Sequence, residues 1–212
     1  NNGWDVTDLD IGDTHTFALL GEPVKGFTLN PDGSWVVDTN SYDRLAEGEQ
    51  LDIPLTISVD DGHGGVATKS IVVTIVGAND PANIVSDAAL VNEGNDASAL
   101  NATGQLVISD ADAGQAQVVA QDLQGTYGTF HVNADGSWTY TGNGAHDELK
   151  EGQQVSDSIT VKSVDGTGSG TITVNITGTN DVATVSSATT AVTEGNTASA
   201  LNAAGQLVIS DA

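Results

Sequence analysis

Ser98-Ala-Leu-Asn-Ala-Thr-Gly-Gln-Leu-Val-Ile-Ser-Asp-Ala111 returns almost unchanged as Ser199-Ala-Leu-Asn-Ala-Ala-Gly-Gln-Leu-Val-Ile-Ser-Asp-Ala212. Glu93-Gly94 returns at the same offset as Glu194-Gly195, and Gly77-Ala-Asn-Asp80 as Gly178-Thr-Asn-Asp181. Further back, Asn30-Pro-Asp-Gly-Ser-Trp35 aligns with Asn133-Ala-Asp-Gly-Ser-Trp138, and Glu47-Gly48 with Glu151-Gly152. A period of about one hundred residues is too long for a solenoid and suits tandem domains, each with its own core. The repeats predict three segments: residues 1–79, a unit lacking its first strand; 80–180, a complete unit; and 181–212, opening strands A and B of a third. The chain contains no Met and reads as an internal or processed piece.

Within each unit the apolar residues alternate. Leu51-Asp-Ile-Pro-Leu-Thr-Ile-Ser-Val59 and Thr171-Ile-Thr-Val-Asn-Ile-Thr177 put every second side chain on one face, which is the period of a half-buried strand. Val (23) outnumbers Leu (14), as β-branched side chains on a pleated surface would have it. Turn signals separate the runs. Seven strands fit the complete unit: A at 83–92, B at 104–109, C at 116–121, D at 128–133, E at 137–141, F at 155–164 and G at 171–177. Seven short strands in this length predict an all-β fold of immunoglobulin-like or cadherin-like β-sandwiches. Asp32-Gly33 and Asp135-Gly136 predict type I′ hairpin turns between D and E. Trp35, Trp138, Tyr127 and Tyr140 read as core.

The formal charge is −24, from 29 acidic and 5 basic residues. Nucleic acid and anionic membranes need basic patches and are excluded as partners. No apolar run approaches the length of a membrane span. Cys is absent, so there are no disulfides or thiolate metal sites. His15, His63, His131 and His146 fall at unmatched positions beside no plausible nucleophile, and no nucleophile elbow is present. The chain reads as not an enzyme.

Strand direction places the acids. If A runs down from the linker, the B–C and F–G loops both lie at the top and the A–B and E–F loops at the bottom. Asp110, Asp112 and Asp165 then gather beside Asn79 and Asp80, with Glu47 added from the preceding unit. Asp8, Asp10 and Asp60 are their counterparts in that unit. Glu93 and Glu151 gather beside Asn180, Asp181 and Asp211 at the other pole. The alternative is turn chemistry, which Asp also favours. Clustered carboxylates repel one another unless a hard cation fills the gap, and Ca2+, taking 6–8 oxygens, suits them.

Gly104-Gln-Leu-Val-Ile-Ser-Asp-Ala-Asp-Ala-Gly114, Gly125-Thr-Tyr-Gly-Thr-Phe130, Asp135-Gly-Ser-Trp-Thr-Tyr140, Leu149-Lys-Glu-Gly152 and Gly178-Thr-Asn-Asp181 together resemble the VCBS repeat of large bacterial RTX-type surface adhesins. The resemblance covers the middle unit and most of the first. It implies a calcium-rigidified extender that projects a distal binding region for cell adhesion or biofilm formation. It also implies type I secretion to the extracellular cell surface, and neighbouring repeats of the same polypeptide as partners. Trp4 stands where Leu106 and Leu207 stand, and the glycine-rich RTX nonapeptide is missing. A carbohydrate-binding module contacting surface glycans is the alternative. Residues 183–212 are a further candidate for strand exchange with another copy.

Overall fold

A computed structural model describes residues 7, 10, 13–196 and 203–211. By contact the chain divides into two compact units, residues 1–84 with 108–117 and 163–169, and residues 85–107 with 118–162 and 170–212. The repeat boundaries cut elsewhere, at 80 and 181. Loops 108–117 and 163–169 fall with residues 1–84, to which they bond through Asp112 and Asp165 on the linker residues Asp80 and Asn79, Thr167 on Ala82 and Ala113 on Arg44.

The first unit carries β1 (Thr16–Leu20), β2 (Phe27–Leu29), β3 (Trp35–Val37), β4 (Gln50–Asp60) and β5 (Val66–Val76). β1, β4 and β5 form an antiparallel sheet in the order β1-β4-β5, and β2 pairs with β3. Ile53, Leu55 and Ile57 point inward from β4 at the period of two that the sequence shows. Phe27, Ile53 and Leu55 form the core, with Leu19, Val37, Ile71, Val73 and Ile75 packed on its margin.

Two short strands, β6 (Asn83–Val85) and β9 (Val107–Ser109), fall where the chain passes from one unit to the other. The second unit carries β7 (Asp87–Asn92), β8 (Ala102–Gln105), β10 (Gln121–Gln124), β11 (Gly128–Val132), β12 (Ser137–Gly142), β13 (Gln154–Lys162) and all but the first residue of β14 (Ser169–Thr177). One of its sheets has the order β10-β11-β12-β8, and the other the order β13-β14-β7. β7 runs parallel to β14, as strand direction requires if A and G both run down. Phe130, Val132, Trp138 and Tyr140 are buried from the first sheet, and Val161, Ile172, Val174 and Ile176 from the second. Two carboxylates tie these sheets together. Asp87 at the start of β7 accepts from the Trp138 indole N–H at 2.9 Å and from the Gln105 N–H at 3.0 Å. Asp157 on β13 accepts from the Tyr140 hydroxyl at 2.6 Å and from the N–H groups of Thr126 and Tyr127.

Several expected strands break or shift. Strand A divides at Ser86, whose hydroxyl accepts from the Thr171 N–H. Strand B begins at Ala102 and divides at Leu106, whose N–H turns to the Gly136 carbonyl. Strand C begins only at Gln121. Before it, the Val118 N–H donates to Ala134 and the Val119 N–H to Lys162, so consecutive residues serve opposite sheets and no ladder forms. The D–E hairpins are not type I′. Gly33 and Gly136 are the positive-φ residues there, and each donates to the residue three before it, Asn30 or Asn133. That is a type I turn closed by a glycine bulge. Asp32 and Asp135 hold these turns by accepting from Ser34 and Ser137.

Trp138 and Tyr140 are buried as expected, and Tyr127 is half-buried. Trp35 is 40% exposed, a correction to its core assignment. It stacks on Phe27 at 6.0 Å. β12 is flanked by β11 and β8, whereas among the described residues β3 pairs with β2 alone. Trp4 lies outside the described residues. In the tail, β15 (Thr184–Val185) pairs with β16 (Ile209–Ser210), so these residues find their strand partner within the chain. Among the described residues no helix is long and apolar enough to cross a membrane.

Candidate metal centres

The linker glycines set the geometry of both acidic groups. Gly77 donates to the Glu49 carbonyl and accepts from the Gly48 N–H; Gly178 does the same with Gln153 and Gly152. A Cβ on Gly178 would press on the carbonyls of Lys150 and Leu149, and one on Gly77 on those of Ala46 and Leu45. Backbone cannot rotate away as a side chain can. Gly178→Ala should therefore cost about 2–3 kcal/mol of stability, read by urea denaturation of the intact chain; an unchanged midpoint would show that the linker shifts freely.

The first group lies in the first unit. The Asn79 amide donates to the Asp80 carbonyl and to Asp165 Oδ2 at 3.2 Å. The Asp80 N–H donates to Asp112 Oδ2 at 3.0 Å, and the Asp112 N–H to Asp110 Oδ1 at 2.9 Å. Residues from the linker, the B–C loop and the F–G loop thus meet as strand direction predicted. Hydroxyls of Ser163 and Thr167 hold the Asp165 carboxyl well below the usual carboxylate range. Asp112 is buried, yet its Oδ1 and Asp110 Oδ2 have no hydrogen-bond partner.

The second group lies in the second unit. One oxygen each from Glu93, Asp147 and Asp181 lies within 4.8 Å of the others. Glu93 is 3% exposed, and its Oε1 and Asp147 Oδ1 are buried without partners. Glu151, Asn180 and Asp211 line a concavity shared with Asp147 and Asp181. The Asn180 amide donates to the Asp181 carbonyl, repeating the Asn79 contact. Burial, and then the charges of Glu93, Asp147 and Asp211, raise the Asp181 carboxyl. Both causes disfavour a further negative charge at this position.

The remaining expected ligands are placed differently. Glu47 is exposed in the turn that Gly77 clasps. Asp60 is exposed and accepts from the Gly62 N–H in the β4–β5 turn. Asp61, not Asp60, stands before glycine as Asp165 does, and it accepts from His63 and Gly65. Asp10 is exposed, and Asp8 lies outside the described residues. Asp147 escaped the sequence reading. The alignment of Glu47-Gly48 with Glu151-Gly152 pairs it with Asp43, a repeat match that would have found both.

Among the described residues, the buried side-chain polar atoms without partners are four carboxylate oxygens, two in each group. A buried carboxylate oxygen left unpaired is costly, and a cation relieves it. The donor set is oxygen throughout, which fits a hard cation.

Residues 79–178 match the bacterial cadherin-like domain family. The chain is 28% identical over 172 residues to the calcium-binding lectin RapA2 of Rhizobium johnstonii, covering 72% of each. Among solved structures it is similar to human CDH23 EC21-23, with a TM-score of 0.49 and 14% identity, covering 78% of this chain and 58% of that one. It is also similar to the human Desmocollin-1 ectodomain, with a TM-score of 0.41 and 17% identity, covering 82% and 37%. The chain spans less than two thirds of either solved structure.

Proposed function

We propose that this chain is a calcium-stabilised repeat region of a bacterial cell-surface adhesin. The observation that carries the reading is the set of four buried, unpartnered carboxylate oxygens at the two acidic groups. Asp80, Asp110, Asp112 and Asp165, with Asn79, would hold one group of ions. Glu93, Asp147 and Asp181, with Glu151, Asn180 and Asp211, would hold another. A bound Ca2+ supplies positive charge and oxygen coordination; the chain's own contribution is to bring the acids together and hold them by backbone N–H donors. The bacterial cadherin-like match and the calcium-binding relative support the metal and the setting. The resemblance to VCBS repeats extends this to an extender of an RTX-type adhesin, exported by type I secretion and serving adhesion or biofilm formation without enzymatic activity.

Isothermal titration of the intact chain with CaCl2 should show saturable binding with Kd of about 10⁻⁴–10⁻³ M, the range of extracellular modules. Asp112→Asn and Glu93→Gln should each remove part of that heat. Titration heats no larger than dilution would overturn the reading.

A second reading, a glycan-binding module, is favoured by exposed Trp35 stacked on Phe27 and by the lectin among the relatives. Trp35→Ala should then abolish retention on a polysaccharide column while leaving calcium heats unchanged.

A further inference from the structure

Glu93 reaches its group just past the end of β7, and one residue, Thr179, holds its carboxylate there through main chain and side chain together. The Thr179 N–H donates to Glu93 Oε2 at 2.7 Å, and the Thr179 hydroxyl to the same oxygen at 2.9 Å. Both donors therefore engage one carboxylate oxygen. The other, Oε1, is left buried and unpartnered in the group it forms with Asp147 and Asp181. The Glu93 N–H is itself tied to the Thr177 carbonyl at 2.9 Å, so main chain and side chain are both anchored to the same short segment. The preceding linker, Gly77-Ala-Asn-Asp80, has Ala78 at the equivalent position and lacks this hydroxyl.

We propose that Thr179 is a positioning residue for divalent-cation binding at the Glu93 group, a proposal that rests on the calcium reading above. Its hydroxyl joins the Thr179 N–H on Oε2, narrows the rotation of the carboxylate and leaves Oε1 as the ligand atom. Outer-sphere partners of this kind commonly tune metal affinity by an order of magnitude or more.

The test is calcium titration calorimetry of the intact chain in an Asp112→Asn background, which weakens the first group so that the Glu93 group dominates the heats. Thr179→Ala should weaken binding about tenfold, and Thr179→Ser, which keeps the hydroxyl, should restore it to within about twofold of the parent. Melting in chelator separates positioning from general stability, because the loss should appear only when calcium is present. Parent-like affinity in Thr179→Ala, or equal losses of melting temperature with and without calcium, would overturn the proposal. Glu93→Gln distinguishes the two levels of failure. If it abolishes binding while Thr179→Ala does not, only the positioning role fails. If it binds as the parent does, the calcium reading of this group fails as well.

Discussion

Chelating calcium from the intact chain should lower its melting temperature and free β7 before the rest of the second unit. The size follows from linkage. A ligand at about a hundred times its Kd stabilises by about 2.7 kcal/mol, and for a chain of this length each kcal/mol moves the midpoint by about 2–4 °C. Each saturated group should therefore contribute about 5–10 °C. β7 responds first for a structural reason. It is an edge strand with no fully buried residue, joined to β14 on one side. Just past its end, Glu93 is held close to Asp147 and Asp181. Without a cation, their repulsion acts on the last residues of that strand. Hydrogen exchange in chelator should rise at residues 88–93 while β11 and β12 keep their protection. Uniform loss across all strands, or no change, would contradict the coupling.

The features legible in the sequence are those that follow from period and direction. Alternation in Thr171–Thr177 marked Ile172, Val174 and Ile176 as the inward face of strand G, and all three are buried. Counting strand directions brought Asp110, Asp112 and Asp165 to Asn79 and Asp80, although 86 residues separate Asn79 from Asp165. What alternation does not carry is the identity of the hydrogen-bonding neighbour. Ser86, Leu106 and Val118 sit where the chain changes partner strands, and a period of two runs straight through them. Trp35 and Trp138 occupy the same motif, yet their burial differs because burial belongs to the strands alongside. Asp157 lies at an inward position of β13, between Val155 and Ile159, where the pattern calls for an apolar residue. Its donors, Thr126 and Tyr127, come from a distant turn that the local sequence does not announce.

Asp157→Ala should be among the most damaging single substitutions in the second unit, costing about 2–4 kcal/mol. Asp157 is 5% exposed and takes three donors. Removing the carboxylate leaves the Tyr140 hydroxyl buried without a partner and strips the partly buried Thr126 and Tyr127 N–H groups of their acceptor, and a buried orphan carries a desolvation cost. Asp157→Asn keeps the shape but turns an amide N–H2 toward donors, so it should recover only part of the loss. Tyr140→Phe removes a donor and leaves the carboxylate two others, so it should cost only about 1 kcal/mol. The pair also predicts an alkaline signature. Burial first, and then the bond to Asp157 and its charge, raise the Tyr140 hydroxyl above its ordinary value. The folded chain therefore holds this proton where the unfolded chain releases it. The associated stability is complete below about pH 10, the ordinary tyrosine value, and declines as pH rises beyond it. Denaturation midpoints measured from about pH 8 to about pH 11 should fall more steeply for the parent than for Tyr140→Phe. Parallel slopes would show that this hydroxyl titrates alike in both states.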